Sequence, residues 1–244
     1  MDFQMAFLKR VLAIAAVGVA LGISTGVTVA KEPTPDSWDG MPRVKRPGLD
    51  AVYLRQGASL AKYKKVMLDP VEVSFDKNWE SKWKGTGSNI YGGTDSRVDA
   101  VAIQTDLAKL AREVTKRELE KRGGYPLVND VGEDVLRVRA RIVDLYINAP
   151  DTMTPGKRTY VINAGEMTLV ADLFDSQTNT LIGHVIDRER GQELGPFDLQ
   201  IANRVTNTAE ADRILSMWAS RLRKALDSAR VEMPHGQDLK SEGK

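Results

Sequence analysis

The sequence has 244 residues, enough for one domain of ordinary size with appendages or for two small ones. Hydrophobic residues make up 42% of the chain and charged residues 28%, so most of it can form a core and need not be disordered. The 35 basic and 33 acidic residues nearly cancel, which gives no electrostatic reason to expect nucleic acid as a partner. The chain has no cysteine, which excludes a disulfide framework, a thiol nucleophile and zinc bound by cysteine.

The first thirty residues have the order of a secretory signal peptide. Lys9 and Arg10 precede an apolar run over 11–23, and small and hydroxyl residues follow up to Thr28-Val29-Ala30. We therefore predict export to the periplasm with cleavage after Ala30, so that no transmembrane segment is retained. The alternative is a retained anchor helix, because the weakly polar stretch is roughly long enough to span a bilayer.

Residues 31–48 contain four prolines among scattered charges, a composition that predicts an extended tether. A single α/β domain is expected over 49–230. The polar residues 231–244 are predicted to be a disordered tail.

The first predicted strand covers 66–75 and is interrupted at Pro70. A polar, glycine-rich segment follows up to Asp95. Apolar residues at helical spacing then predict a helix over about 97–122 that begins at a capping box of Ser96 and Asp99. Gly123-Gly124 is expected to end this helix.

Three more strands and a helix complete the domain. Residues 134–147 alternate between apolar and polar, with a change of face near Val143 that predicts a bulge. Residues 166–174 and 181–188 read as a hairpin. Asn207 and Glu210 are read as a capping box that opens a second helix, which should end near Ala229. Its predicted inner face consists of five apolar residues: Ile214, Leu215, Trp218, Leu222 and Leu226.

This β-α-β-β-β-α order predicts an α+β fold. The economical arrangement is a two-layer sandwich with a mixed or antiparallel sheet of about four strands and two helices packed on one face. The other face of the sheet is expected to be polar.

Several stretches resemble a known family. They are "YLRQGASLAKYKKVMLDPVEVSFDKNW", "LEKRGGYPLVND", "LRVRARIVDL" and "MTLVADLFDSQTNTLIG". Over roughly Trp38 to Ala229 the sequence resembles the bacterial exported proteins, often lipoproteins, catalogued as domain of unknown function 3313. The resemblance implies an envelope location and an α/β domain similar to those of small periplasmic assembly-factor lipoproteins, and it implies no established activity. Where lipoprotein members carry an acylated cysteine, this chain has Thr28-Val29-Ala30-Lys31, which favours a soluble periplasmic protein.

Few residues suggest catalysis. Asp69 and Glu72 could act as a carboxylate pair, but residues three apart on a regular strand point to opposite faces, so a structural role at an edge or bulge is favoured. His184 lies in the predicted hairpin and His235 in the polar C-terminal tail, so the two histidines suggest neither a metal site nor a catalytic base. The glycine-rich "KGTGSNIYGG" lacks the lysine and hydroxyl residue of a phosphate-binding loop. No cofactor and no metal are expected.

Arg137, Arg139 and Arg141 lie on one face of their strand, because alternate residues share a face. They could bind an anionic partner such as lipid headgroups, a glycan or an acidic protein surface. The favoured alternative is pairing with carboxylates on neighbouring strands, such as Glu166, Asp172 and Asp187.

Three aromatic residues, Trp79, Trp83 and Tyr91, lie in the polar segment after the first strand. They either contact a partner or a sugar, or lie over the edge of the core beside the first strand. Together with the loop from Asn148 to Asn163, they form the best candidate interaction site in the sequence.

The leading hypothesis is a non-catalytic periplasmic module that binds an unknown envelope protein or cell-wall component through its loops or an exposed sheet edge. One alternative is a hydrolase acting on cell-wall glycan with Asp69 and Glu72, or with Asp76 or Asp95. The other is a lipid or amphiphile carrier whose groove lies between helices and sheet.

Overall fold

The computed structural model describes residues 34–79, 100–148, 159–161, 163–192 and 200–231. The predicted signal peptide, the capping box of Ser96 and Asp99, and the predicted tail beyond residue 231 lie outside these residues. No helix in the described part of the chain has the length and apolar character needed to cross a bilayer.

The described chain contains ten strands and two long helices, with a short 3₁₀ turn at Lys121–Gly123. The strands are β1 Ser37–Trp38, β2 Met41–Pro42, β3 Ala51–Leu54, β4 Lys65–Leu68, β5 Glu72–Phe75, β6 Val135–Ile147, β7 Thr159–Val161, β8 Gly165–Asp175, β9 Leu181–Arg190 and β10 Gln200–Ala202. The helices are α1 Ala100–Glu120 and α2 Arg204–Val231. The α+β class is therefore confirmed.

The main sheet is mixed and has six strands where about four were predicted. Its order is β3-β9-β8-β6, and β4 and β5 both pair with β6 on its remaining side. β4 and β5 run parallel to β6, whereas the other neighbours are antiparallel. The count differs because Asp69-Pro70 divides the first predicted strand into β4 and β5, and because β3 was not predicted.

The irregularities predicted in the strands are present. The register between β6 and β8 shifts between Val143 and Tyr146, and Asp144 has a positive φ of 51°. The bulge predicted near Val143 is therefore confirmed. The predicted hairpin is also confirmed, since β8 and β9 pair antiparallel on either side of residues 176–180.

The end of α1 was predicted correctly and the start of α2 was not. After α1 the backbone has positive φ at Arg122 and Gly123, which ends the helix at the expected diglycine. α2 begins after Asn203, whose Oδ1 accepts from the Thr206 N–H at 3.0 Å. The capping box predicted from Asn207 and Glu210 is wrong, because both residues lie inside the helix.

Both helices pack on one face of the sheet. In one core cluster α1 and α2 meet the sheet through Leu107, Trp218 and Ile142, and in a second cluster through Leu119, Leu226 and Leu136. The predicted inner face of α2 is confirmed for four of its five residues, which are buried, while Leu222 is partly buried against the core.

The two helices run in the same direction. Arg204 at the start of α2 pairs with Asp106 near the start of α1, and Arg223 near the end of α2 donates to the Lys121 carbonyl just past the end of α1. Their N-terminal ends therefore lie at the same end of the sheet.

The N-terminal segment 34–48 differs from the predicted tether. Met41 is only 1% exposed, the Tyr53 hydroxyl donates to the Pro35 carbonyl at 2.9 Å, and Trp38 stacks on His184 with ring centroids 3.7 Å apart. The prolines exclude a helix but allow the two short strands β1 and β2, which pair as a ribbon. This segment covers part of the sheet face opposite the helices. That face was predicted to be polar, and the prediction is wrong for the part that the segment covers.

Candidate functional site

Asp69 is a structural counter-ion. Its carboxylate accepts two hydrogen bonds from Arg137 Nε, at 2.9 and 3.1 Å, and lies 3.5 Å from Arg139 Nε. The Asp69 interaction raises the pKa of Arg137 further. Glu72 is exposed and lies opposite Arg141 in the neighbouring strand. Asp69 is thus engaged by two guanidinium groups, through charge-assisted contacts that hold it against β6.

The three arginines of β6 share one face, as predicted, and pair across strands. Arg141 Nη2 lies 3.4 Å from Asp172, and the Arg139 guanidinium lies 5.1 Å from the centre of the Phe174 ring. The favoured expectation of cross-strand pairing is therefore met through Asp69 and Asp172. Of the other two proposed partners, Glu166 pairs with arginines of β9 and Asp187 with Arg221 of α2.

His184 forms a buried pair that the sequence did not indicate. Its Nδ1 lies 2.6 Å from Asp172 Oδ1, and the indole of Trp38 covers the ring nearly parallel, at 9°. His184 is 3% exposed and Asp172 is 8% exposed. The stack of Trp38 on His184 joins the N-terminal segment to the sheet. Within the described residues, no group of three or more histidine, aspartate or glutamate side chains could hold a metal ion.

Trp79 is a core residue. It is 2% exposed, its ring stacks on Phe75 with centroids 4.0 Å apart, and its Nε1–H donates to the Ile147 carbonyl at 2.8 Å. The prediction that Trp79 offers an exposed contact is therefore wrong. The alternative, that it lies over the core beside the first strand, describes it correctly. Trp83 and Tyr91 lie outside the described residues.

At one end of the main sheet β5, β6 and β9 end and β8 begins. The Trp79 indole N–H donates a hydrogen bond to the Ile147 carbonyl. Asn148 Nδ2 donates to Asn163 Oδ1 at 2.6 Å, and the Gly191 N–H donates to the Gly165 carbonyl at 2.7 Å. We call this end, defined by Trp79, Asn148, Asn163 and Gly191, the loop end.

The N-terminal ends of both helices also lie at the loop end. Gln104 near the start of α1 donates to Val73 O at 2.9 Å, whereas Arg112 further along donates to Leu68 O at 3.1 Å. α1 therefore runs antiparallel to β4 and β5, and its first turn lies near the carboxyl end of β5. Because α2 runs parallel to α1, its first turn lies at the same end.

A polar cleft opens at the loop end. Its volume is about 210 Å³, and it is lined by six residues from the ends of β6, β8 and β9: Tyr146, Asn148, Asn163, Gly165, Glu166 and Arg190. We call it the end cleft. Gly165 is required for the close approach that shapes it, because a Cβ built there would lie 2.0 Å from the Tyr146 carbonyl oxygen.

Charges in the end cleft are fixed by a carboxylate between two guanidinium groups. Glu166 accepts from Arg188 and, at 2.9 Å, from Arg190 Nε. Burial raises the pKa of the Glu166 carboxyl, but the hydrogen bonds from the two arginines outweigh burial, so that its pKa is lowered. Glu166 and Arg190 are register partners only because β9 carries one extra residue between Leu181 and Gly183, so pairing the predicted strands without that residue would not have brought them together.

Two other possible binding surfaces are an open edge of the main sheet and a groove between sheet and helices, and both regions contain contacts within the described residues. The outer edges of β3, β4 and β5 are each contacted by other parts of the chain: Val44 N donates to Val52 O, Val128 N to Val66 O, and Gln104 Nε2 to Val73 O. The two core clusters fill the region between helices and sheet that a lipid carrier would need. Among the described residues, each of these three edges therefore has at least one hydrogen bond to another part of the chain, and core side chains occupy the space between helices and sheet.

Comparison with known proteins gives a family and weak structural likenesses. The model of a family described as "Protein of unknown function (DUF3313)" matches residues 34–222. No curated protein matches the sequence.

Three solved structures show distant similarity. A PelC dodecamer from Paraburkholderia phytofirmans is 8% identical, with a TM-score of 0.36 over 70% of this chain and 96% of that chain. Protein XCC0632 from Xanthomonas campestris is 9% identical, with a TM-score of 0.35 over 72% of this chain and 91% of that chain. A putative neuraminyllactose-binding hemagglutinin homolog from Helicobacter pylori is 12% identical, with a TM-score of 0.36 over 74% of this chain and 95% of that chain.

Proposed function

This chain belongs to the DUF3313 family of proteins of unknown function, and we propose that it is a non-catalytic binding module of the cell envelope. The order of charged, apolar and small residues over 1–30 supports export with cleavage near Ala30. The mature protein would then act in the periplasm on an envelope protein or a cell-wall component.

The loop end carries this proposal. Strands β5, β6 and β9 end there, both helices begin there, and the end cleft opens there. Binding residues occur preferentially on loops that a rigid scaffold positions. The opposite end includes the short hairpin turn at residues 176–180, which Asp175 holds in place by accepting a hydrogen bond from the Thr178 N–H. The loop end is therefore the surface best suited to a partner.

The proposed absence of catalysis is supported by the roles of the candidate carboxylates. Asp69 is engaged by Arg137 and Arg139. Asp76 Oδ1 accepts from the N–H groups of Asn78 and Trp79 at 2.9 and 3.2 Å, as the residue that begins a turn. A catalytic carboxylate must reach its substrate, whereas both of these carboxylates contact groups of their own fold. Asp95, the remaining candidate, lies outside the described residues.

Site-specific photo-crosslinking in exporting cells tests the proposal. Gln192 at the loop end and Gln177 in the opposite hairpin turn are both exposed glutamines, so a photoreactive amino acid can replace either with a similar local effect. We expect a discrete envelope product from position 192 and none from position 177. The same products from both positions, or none from position 192, would refute a partner site at the loop end.

N-terminal sequencing of the mature protein tests the location. We expect the mature chain to begin at Lys31 and to fractionate with the periplasm. Recovery of Met1 in the mature pool would show that the segment is retained.

A further inference from the structure

The polar groups of the end cleft are held in fixed positions. Asn148 Nδ2 donates to both Oδ1 and the backbone carbonyl of Asn163, at 2.6 and 3.0 Å, and the Asn148 N–H donates to the Ala164 carbonyl at 3.0 Å. The paired amides restrain each other, and the Trp79 indole fixes the adjoining Ile147 carbonyl. Groups held by their neighbours lose little conformational freedom on binding a ligand.

The restrained amides keep hydrogen-bonding capacity for a ligand. Asn148 uses its Nδ2 as the donor and Asn163 its Oδ1 as the acceptor, which leaves Asn148 Oδ1 as an acceptor and Asn163 Nδ2 as a donor. Arg190 adds guanidinium donors, since its side chain is 67% exposed and only its Nε contacts Glu166 among the described residues. Both kinds of hydrogen-bonding group are therefore present in one cleft.

These features select a ligand by its chemistry. A sugar hydroxyl both donates and accepts, so a ring with adjacent hydroxyls can use amide, carboxylate and guanidinium groups together. Tyr146 also belongs to the lining, and its ring packs against the core, which holds this wall of the cleft in place. A cleft of about 210 Å³ is smaller than a pocket for a drug-sized molecule and suits one small polar unit.

We propose that the end cleft binds one saccharide unit of an envelope glycan. This inference rests on the proposed function and names the ligand class of the loop end. Among the described residues, Glu166 carries one negative charge, and its partners Arg190 in the cleft and Arg188 beside it carry two positive charges, so this cluster has an excess of one positive charge. A uronic acid unit should therefore bind more tightly than its neutral counterpart, and more so at low ionic strength.

The same groups favour binding over hydrolysis of the glycan. A glycosidase needs one carboxylic acid with a raised pKa to protonate the leaving oxygen. The pKa of Glu166 is shifted in the opposite direction by its two arginine partners. Glu166 therefore serves as a fixed acceptor that positions Arg190.

Calorimetric titration of the full-length mature protein tests the inference. The probes are oligosaccharides of glucose, N-acetylglucosamine and galacturonic acid, with sodium acetate as a simple anion. Arg190→Gln removes the guanidinium donors and Asn163→Asp removes the amide donor but keeps the acceptor for Asn148. Arg139→Gln is the matched control, because Arg139 is a half-exposed arginine outside the end cleft.

We expect at least one oligosaccharide to bind, galacturonate to be preferred over glucose, and both cleft variants to weaken binding by about tenfold while Arg139→Gln leaves it unchanged. Three results would overturn the inference: no binding of any oligosaccharide, equal competition by acetate, or loss of binding in Arg139→Gln alone. If the sugars fail but position 192 still crosslinks to an envelope component, the binding function stands and the saccharide assignment is wrong.

Discussion

Replacing Trp79 by alanine distinguishes a core residue from a surface contact. The structure buries Trp79 to 2% exposure, stacks it on Phe75 and pairs its indole N–H with the Ile147 carbonyl. Removing such a side chain costs about 3–5 kcal/mol of unfolding free energy, because transfer and cavity terms add. Removing an exposed aromatic side chain would change the unfolding free energy by no more than about 0.5 kcal/mol. For a domain of this size, the core reading predicts a fall in Tm of roughly 10 °C.

Denaturant unfolding followed by far-UV circular dichroism measures this difference without depending on tryptophan emission. Trp79→Phe is the matched variant, since it keeps an aromatic ring against Phe75 but loses the hydrogen bond to Ile147, and we expect it to cost about 1–2 kcal/mol. Trp83→Ala provides the comparison within the same segment. If the unfolding free energy of Trp79→Ala lies within roughly 0.5 kcal/mol of the wild-type value, the burial of Trp79 is refuted.

Two further predictions concern the ends of the sheet. Gly165→Ala should lower the unfolding free energy by about 2 kcal/mol or more, because φ at Gly165 is +150° and the new Cβ would meet the Tyr146 carbonyl. Gly132 has no such φ, so Gly132→Ala should cost less. Equal losses of stability for the two variants in thermal unfolding would contradict this prediction. The hydrogen bond from Lys62 holds the pKa of Asp175 well below its ordinary value of 3.8. This carboxylate therefore stabilises the fold above that unfolded-state pKa and stops doing so as pH falls through the folded-state pKa. Asp175→Asn should lower stability by about 2 kcal/mol at pH 7 and flatten the loss of stability below pH 5, and an unchanged pH dependence in chemical unfolding would refute this role.

Periodicity predicted those parts of the fold where one face is buried. The two helices, the long strand β6 and the β8–β9 hairpin follow alternations that core packing enforces. β3 was missed because it is short and follows a proline-rich stretch. The place of β3 in the sheet is set by residues distant in sequence, since Tyr53 of β3 pairs with His184 of β9. Such pairing leaves no local pattern in the sequence.

The His184–Asp172 pair shows why side-chain partners are harder to predict than strands. Leu181 lies opposite Phe174, but Gly183 lies opposite Leu173, so one extra residue is present in β9. This bulge shifts the register by one and places His184 opposite Asp172. Pairing without the bulge would place Gly183 there, because the side-chain pattern of a strand repeats every two residues. The polar network on this face therefore depends on a feature that residue types alone do not specify.

Asp69-Pro70 interrupts the edge of the sheet beside β6. Proline cannot donate to a strand ladder, so the interruption divides the strand beside β6 into two strands of four residues each. Short, interrupted edge strands resist pairing with other chains. The same interruption leaves Asp69 between Arg137 and Arg139, where it offsets charge on the face of β6. The three arginines of β6 have carboxylate partners, whereas the end cleft holds amide and guanidinium groups with remaining hydrogen-bonding capacity, and binding is best sought there.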